Sequence, residues 1–170
     1  MIIVVLFLLS AGCVPSLHEL YFNENLTYSP ILAGNWANQN GSQIWEFQSM
    51  PDSSYSLLFT QENTPRHFVA HLLLLDDQLF MDTYPAEDIA NDLYELHMIP
   101  ALVFGRVWIE GDTLHLNHLD GDWLKKQIEN GSVGLAHEKI DGAIVLTAST
   151  ADLQAFAKKY ADDADAWGTQ

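Results

Sequence analysis

Runs in which apolar and polar residues alternate fill most of the chain after residue 30. "SQIWEFQS" places Trp45 and Phe47 on one face, and "SYSLLFT" does the same with Tyr55, Leu57 and Phe59. "TLHLNHL" repeats the pattern further along the chain. Alternation with a period of two residues is typical of a β-strand that buries one of its faces.

Pairs of turn-forming residues separate these runs. Asn40-Gly41 and Asp141-Gly142 are the strongest hairpin signals, because such residues adopt positive φ angles at low cost. About eight strands joined mostly by short turns would close or nearly close into a barrel, since a long open sheet leaves aggregation-prone edges. The sequence therefore predicts a mainly β fold, an antiparallel meander that forms a barrel.

Two helices are predicted beside the sheet. "DGDWLKKQIENG" predicts a short internal helix with Asp120 as its N-cap and a C-terminal end at Asn130-Gly131. "STADLQAFAKKYADDADAW" has Ser149 and Asp152 at capping-box spacing and an apolar stripe that runs to Trp167. We expect this amphipathic C-terminal helix to cover the outer face of the strand "ALVFGRVWIE". A third helical turn is a weaker prediction for "PAEDIANDLYEL".

The first twelve residues, "MIIVVLFLLSAG", are all apolar or small. At about 1.5 Å per residue, a helix of this length reaches about 18 Å, which is well short of a hydrocarbon core of about 30 Å. Residues 1–12 are therefore predicted to be a signal peptide that is removed. The alternative is a buried N-terminal strand followed by a chance Cys13, although Pro15 directly after the run favours cleavage.

Length and composition predict a single domain. The chain has 170 residues, of which 48% are hydrophobic. We expect residues 13–30, which are polar and bounded by prolines, to be a tether, and residues 31–170 to be the domain. Seven Lys and Arg against 23 Asp and Glu give a formal charge of −16, which makes nucleic acid a poor partner.

Motifs for catalysis are absent from the sequence. It contains no G-x-S-x-G, no H-E-x-x-H and no glycine-rich phosphate-binding loop, so we predict no enzymatic activity and no cofactor. His67 and His71 are four residues apart, which is about 13 Å along a strand and too far for one zinc ion. No metal site is predicted.

The interior of the predicted barrel is the remaining candidate for a binding site. Trp36, Trp45, Tyr55 and Phe59 would point inward if the alternation is assigned correctly. A barrel of about eight strands can hold one small ligand, or its own side chains can fill it. Both alternatives are open at this point.

The stretch "LSAGC", which ends at Cys13, resembles the lipobox of bacterial lipoproteins. The resemblance implies transfer of diacylglycerol to the Cys13 sulfur, cleavage before Cys13 and acylation of the new amino terminus. It thus implies a protein of the bacterial cell envelope that faces the periplasm or the outside. Two or more acyl chains would give durable attachment to the membrane.

The stretch "AGNW", with Gly34 and Trp36, resembles the G-x-W motif of lipocalin-like (calycin-like) barrels. In that group the tryptophan plugs one end of the barrel and a helix follows the last strand. "FVAHLLLLDDQLFMDTYP", "HMIPALVFGRV", "GDWL" and "LTASTADLQAF" are similar to a group of uncharacterised bacterial lipoproteins. The lipobox, the meander and the lack of a catalytic motif together favour a binding module for a small apolar or amphipathic ligand. The alternative is an interaction or assembly subunit of an envelope complex, with a filled barrel.

Overall fold

The computed structural model describes residues 4–5, 13–86 and 101–167. The third helical turn predicted from "PAEDIANDLYEL" falls on residues 87–96, outside the described residues. The architecture is mainly β, with an antiparallel meander nearly closed into a barrel and two helices. This confirms the predicted fold class and is consistent with a lipocalin-like fold.

Seven strands form the meander, and each pairs in antiparallel fashion with the next. They are β3 (Gly34–Asn38), β4 (Gln43–Ser49), β5 (Tyr55–Gln61), β6 (Thr64–Leu75), β7 (Gln78–Pro85), β8 (Val103–Glu110) and β9 (Thr113–His118). Two shorter strands join this sheet. β1 (Val4–Val5) pairs in parallel with β3 and lies close to β9, and β2 (Leu26–Thr27) pairs with β6.

A separate hairpin consists of β10 (His137–Ile140) and β11 (Ala143–Leu146). Its turn contains Asp141 and Gly142, which have φ angles of 50° and 86°. The turn between β3 and β4 contains Gly41 with a φ angle of 69°. Both predicted hairpins are confirmed, because each turn uses residues that tolerate the left-handed region.

One hydrophobic cluster fills the inner face of the meander. Trp36 pairs across the strands with Trp45, and Trp45 pairs with Phe59. Cross-strand partners in an antiparallel sheet project from the same face, so the three rings converge. The cluster comprises these residues together with Leu32, Phe47, Tyr55, Leu57, Phe68, Ala70, Leu72, Leu79, Met81, Val107, Ile109, Leu114 and Leu116.

A second hydrophobic cluster lies on the outer face of β6 to β8. Phe80 and Phe104 project from the sheet, and the ring of Trp167 packs against both at centroid distances of 5.4 and 6.3 Å. Leu153 and Phe156 of the C-terminal helix belong to the same cluster. Trp167, which follows the C-terminal helix, therefore covers the outer face of the strand that contains Phe104, whereas the helix itself contacts β6.

The internal helix α1 (Gly121–Glu129) has the predicted bounds. The Asp120 carboxylate caps it by accepting from the backbone N–H of Trp123 at 2.7 Å. Gly131 follows the helix with a φ angle of 77°, as expected of a residue after a C-cap.

The C-terminal helix α2 (Thr150–Lys159) is shorter than predicted. Ser149 is its N-cap, as expected, but the helix does not extend to Trp167. The Asp163 carboxylate accepts from the backbone N–H groups of Asp165 and Ala166, which favours a turn over a continued helix. The Trp167 indole N–H donates to the Tyr160 carbonyl at 2.7 Å and returns the chain to the core.

Residues 13–30, which the sequence predicts as a tether, pack onto the domain in the structure. Val14, Ser16 and Leu20 are buried. The backbone of Ser16 exchanges two hydrogen bonds of 2.9 Å with the backbone of Leu102. A mainly polar composition predicts a spacer, but it takes no account of backbone hydrogen bonds or of a few well-placed apolar side chains. The segment is a folded part of the domain.

Candidate functional site

Cys13 lies at the surface, in the segment between β1 and β2. It forms an isolated antiparallel bridge with Asp120, the N-cap of α1. Desolvation raises the pKa of the Cys13 thiol, so the sulfur has less thiolate character than a free cysteine.

A surface pocket of about 230 Å³ adjoins Cys13. The start of α1 and the turn between β10 and β11 form its walls, with Lys125 on one side and Ala143 and Ile144 on the other. The chain is fixed directly after the cysteine, because Leu146 donates its backbone N–H to the Pro15 carbonyl at 2.9 Å. In the part of the chain that the structure describes, no helix has the length and apolar run that crossing a bilayer requires.

The four side chains predicted to line the barrel interior all lie in the inner cluster. Trp36, Trp45 and Tyr55 are buried, and Phe59 is partly buried. Trp45 and Phe59 pack with their ring centroids 4.5 Å apart. The structure thus brings the predicted residues together, on the inner face where the alternation places them.

Two of these side chains have polar groups that bond to backbone. The Tyr55 hydroxyl donates to the Ser29 carbonyl at 3.0 Å and accepts from the Ser29 N–H at 2.8 Å. The Trp36 indole N–H donates to the Leu32 carbonyl at 2.8 Å. These contacts tie the 3₁₀ turn Pro30–Leu32 and the residue before it to the barrel.

A cluster of polar side chains that sequence reasoning did not single out lies on the outer face of β6 and β7. His71 and Asp82 are cross-strand partners, so their side chains leave the same face of the sheet. Asp82 is fully buried, and its Oδ2 atom accepts from the backbone N–H of Leu20 at 2.8 Å. Among the described residues, Asp82 Oδ1 and His71 Nδ1 have no hydrogen-bond partner.

Burial shifts the pKa values of both groups toward their neutral forms. Desolvation, with a smaller contribution from the Glu19 carboxylate, raises the pKa of Asp82 to about 7, although hydrogen bonds from the backbone of Leu20 and Thr83 act in the opposite direction. Desolvation lowers the pKa of His71, although Asp52 and Glu19 act in the opposite direction. A neutral carboxyl beside a neutral imidazole avoids an uncompensated buried charge.

Buried polar side chains form hydrogen bonds with both the backbone N–H and the backbone carbonyl of Leu20. Asp82 accepts from its N–H, and the Gln154 side-chain amide of α2 donates to its carbonyl at 2.9 Å. The same Gln154 nitrogen also donates to Asn25 Oδ1 at 2.7 Å. These two bonds fasten the segment that follows Cys13 across the outer face of the sheet.

Three rings stand in a row at the edge of this cluster. Tyr21 and His71 have ring centroids 4.6 Å apart, and His71 and Tyr84 have centroids 6.0 Å apart with ring planes 16° from parallel. All three are partly buried. Burial, together with smaller contributions from Tyr84, Glu19 and Asp82, raises the pKa of Tyr21 to about 12.

Comparisons of the chain with protein-family models, with curated proteins and with solved structures find no match.

The sequence contains one signal for the polar cluster around Asp82. Asp82 interrupts the strand "QLFMDTYP", and aspartate is depleted in strands because its carboxylate competes for backbone hydrogen bonds. In the structure, this carboxylate accepts the backbone N–H of Leu20.

Proposed function

We propose that this protein is a lipid-anchored protein of the bacterial cell envelope that works without catalysis, by presenting its folded surface to another envelope protein. The lipid would be carried by Cys13, and the domain would face the periplasm or the outside. Within the envelope, the barrel would serve as a rigid scaffold.

The position of Cys13 supports the anchor. The lipobox resemblance ends at this residue, and the side chain is exposed at the surface. Because Cys13 is bridged to Asp120 and the Pro15 carbonyl accepts from the backbone N–H of Leu146, a lipid on Cys13 would hold the domain close to the membrane. The end that contains the start of α1 and the turn between β10 and β11 would then face the bilayer.

The hydrogen bonding of the barrel interior is the observation that carries the choice of a scaffold. The Tyr55 hydroxyl and the Trp36 indole N–H, which would orient a ligand, are bonded to the backbone of residues 29 and 32. A ligand would have to displace aromatic rings that pack against one another, and polar groups without replacement partners cost free energy. The other alternative, a small apolar ligand inside the barrel, stays a prediction.

Labelling with radioactive palmitate in a bacterial host tests the anchor. We expect the wild-type protein and a His18→Ala control to be labelled, because His18 is exposed and lies outside the lipobox. Cys13→Ser should lose the label and accumulate as the uncleaved precursor. Equal labelling of Cys13→Ser and wild type would contradict the proposal.

Pull-down from solubilised envelopes tests the scaffold. A membrane-attached wild-type protein should retain a defined partner protein that the Cys13→Ser protein, left in the precursor form, does not retain. A small apolar molecule bound in equal proportion to the protein, with no partner protein, would contradict the scaffold and favour the ligand carrier.

A further inference from the structure

An open groove of about 390 Å³ separates the loop 132–136 from the C-terminal helix α2. Its base is apolar, because Val133, Leu135 and Phe156 line it and are buried in the second hydrophobic cluster. Ala155 lines the helical side and is exposed. The groove therefore joins the hydrophobic core to the surface along one face of α2.

The loop side of the groove is formed by backbone that has few hydrogen-bond partners. Among the described residues, neither the N–H nor the carbonyl of Gly134 has a partner, and the N–H of Leu135 has none. The Leu135 carbonyl already accepts from His137 Nδ1 at 2.8 Å. A Cβ atom added to Gly134 would meet no atom within 4 Å outside its own neighbours in the chain, so the space beside this backbone is open.

The edge of β10 extends this unpaired backbone. The two-residue turn 141–142 makes Ile140 and Ala143 a hydrogen-bonded pair. Hydrogen-bonded and non-hydrogen-bonded pairs alternate in an antiparallel hairpin, so the backbone groups of His137 and Lys139 point away from β11. Among the described residues, no strand pairs with this side of β10. The free edge of β10 and the loop before it form one line of mostly unpaired backbone.

The backbone chemistry specifies an extended chain as the occupant of the groove. An exposed strand edge binds another strand through main-chain hydrogen bonds, and alternate side chains of the added strand enter neighbouring pockets. Here the free edge supplies the main-chain groups, and the apolar base between Leu135 and Phe156 receives the side chains. A helix pairs its backbone groups internally, so it has none to offer this edge.

Lys159 determines the charge of that chain. Its ammonium group lies 4.7 Å from the centroid of the Tyr160 ring, and no carboxylate of the described residues lies within ion-pair distance of it. Asp152 also lines the groove, but its carboxylate accepts from the Ser149 hydroxyl at the start of α2. An unpaired cation beside an apolar base favours a chain that has a carboxylate.

We propose that an extended segment of the partner protein adds to the free edge of β10, with apolar side chains in the groove and an acidic side chain on Lys159. The inference rests on the proposed scaffold function, and it names the contact surface and the chemistry of the segment that fits it. The segment would run along residues 134–139 and add a strand to the hairpin of β10 and β11.

Fluorescence anisotropy with a dye-labelled peptide tests this inference on the full-length protein in detergent. The peptide alternates Val and Thr, has Glu in place of its central Val and ends in an amide, so it has one carboxylate; a matched peptide has Gln instead of Glu. At an ionic strength of about 0.15 M, repulsion by the net charge of −16 is largely screened. We expect the Glu peptide to bind about fivefold more tightly than the Gln peptide. Equal affinities would contradict an acidic occupant.

Alternate N-methylation tests the main-chain pairing. In two further versions of the Glu peptide, the amides of either the odd or the even residues carry a methyl group, which removes their hydrogen-bond donors. An added strand points only one of these two sets toward β10. One version should therefore lose about tenfold in affinity and the other less than about threefold. Equal losses in the two versions would overturn strand addition.

Ala155→Phe fills the groove and leaves the edge of β10 and Lys159 unchanged. Ala151→Phe is the matched control, because both alanines are exposed on α2 and Ala151 lies outside the groove. Circular dichroism checks that both variants are folded. Ala155→Phe should weaken the Glu peptide about tenfold and Ala151→Phe less than about twofold. Equal losses would overturn the site.

Lys159→Gln tests the charge of the groove from the side of the protein. It should reduce the preference for the Glu peptide over the Gln peptide to less than about twofold, whereas Lys126→Gln, at an exposed position on α1, should preserve it. Equal effects of the two variants would contradict the role of Lys159. In the pull-down from envelopes, a partner retained equally by Ala155→Phe and wild type would overturn this site and leave the scaffold function standing.

Discussion

The inner and outer faces of the meander treat their polar groups differently. On the inner face, the Tyr55 hydroxyl and the Trp36 indole N–H are both bonded to backbone, whereas the Oε1 atom of the neutral Gln43 amide has no partner among the described residues. On the outer face, Asp82 Oδ1 and His71 Nδ1 have no partner among the described residues. Unsatisfied buried groups lower stability on either face, but Asp82 and His71 are ionisable, so their effect on stability depends on pH. The difference teaches that the outer face, more than the barrel interior, makes the stability of this protein sensitive to pH.

Removing a large ring from the inner face should have the greatest effect. Trp45→Ala should lower the free energy of unfolding by about 3 to 5 kcal/mol, because it leaves a cavity beside Phe59. Urea denaturation followed by circular dichroism measures the loss. Phe22→Ala is a control, because that aromatic ring is exposed. A loss under about 1 kcal/mol for Trp45→Ala would show that the interior is not filled as described.

Asp82 should make the outer face sensitive to pH. Its pKa is about 7 in the folded protein and about 3.9 when unfolded. Between these values the folded state keeps a proton that the unfolded state has lost, so the free energy of unfolding falls as pH rises, by at most about 1.4 kcal/mol per pH unit. Below about pH 4 both states hold the proton, and this dependence vanishes.

Asp82→Asn should remove this part of the pH dependence and be more stable than wild type at pH 8. Denaturation of both proteins between pH 4 and pH 8 measures the difference. Asp112→Asn, at an exposed position, should keep the wild-type slope. Parallel pH profiles for Asp82→Asn and wild type would contradict the buried, neutral carboxyl.

Gln154 should matter less, and its effect should be local. Gln154→Ala leaves the Leu20 carbonyl and Asn25 without their amide donor, which should lower stability by about 1 to 3 kcal/mol. Hydrogen exchange should speed up in residues 16–25 more than in β4 and β5. Gln48→Ala, at an exposed position, is the control. Hydrogen exchange that speeds up equally throughout the protein would contradict a local role for Gln154 in holding residues 16–25.

Glu19 should have the smallest effect. It raises the pKa of Asp82, so Glu19→Gln should move the pH dependence of stability toward lower pH. The free energy of unfolding of Glu19→Gln is compared across pH with that of the double variant Glu19→Gln with Asp82→Asn. The pH at the midpoint of this difference measures the shift. A midpoint at higher pH than in the wild-type background would mean that the Glu19 carboxylate does not raise the pKa of Asp82.

Local patterns in the sequence predict much of this fold. The hairpins at Asn40-Gly41 and Asp141-Gly142 follow from turn chemistry, and the inward rings follow from alternation. The helix α1 follows from its cap at Asp120. These features depend on residues close together in the chain, where a short window contains the whole physical cause.

The remainder depends on contacts between distant residues. Leu20 forms hydrogen bonds with Asp82, which is 62 residues away in the sequence, and with Gln154, which is 134 residues away. Alternation assigns Asp82 to the outer face but does not reveal that residues 13–30 cover that face. The apolar stripe also predicts too late an end for α2. The Asp163 side chain accepts hydrogen bonds from backbone N–H groups that a helical pattern assigns to the helix.

Intact mass spectrometry of the protein, purified gently from native membranes, tests the central claim of a lipid-anchored scaffold most directly. The account predicts a chain that starts at Cys13, carries diacylglycerol and an amide-linked acyl chain, and holds no further apolar molecule. A chain that retains residues 1–12 without lipid, or one that carries an equimolar apolar ligand, would contradict it.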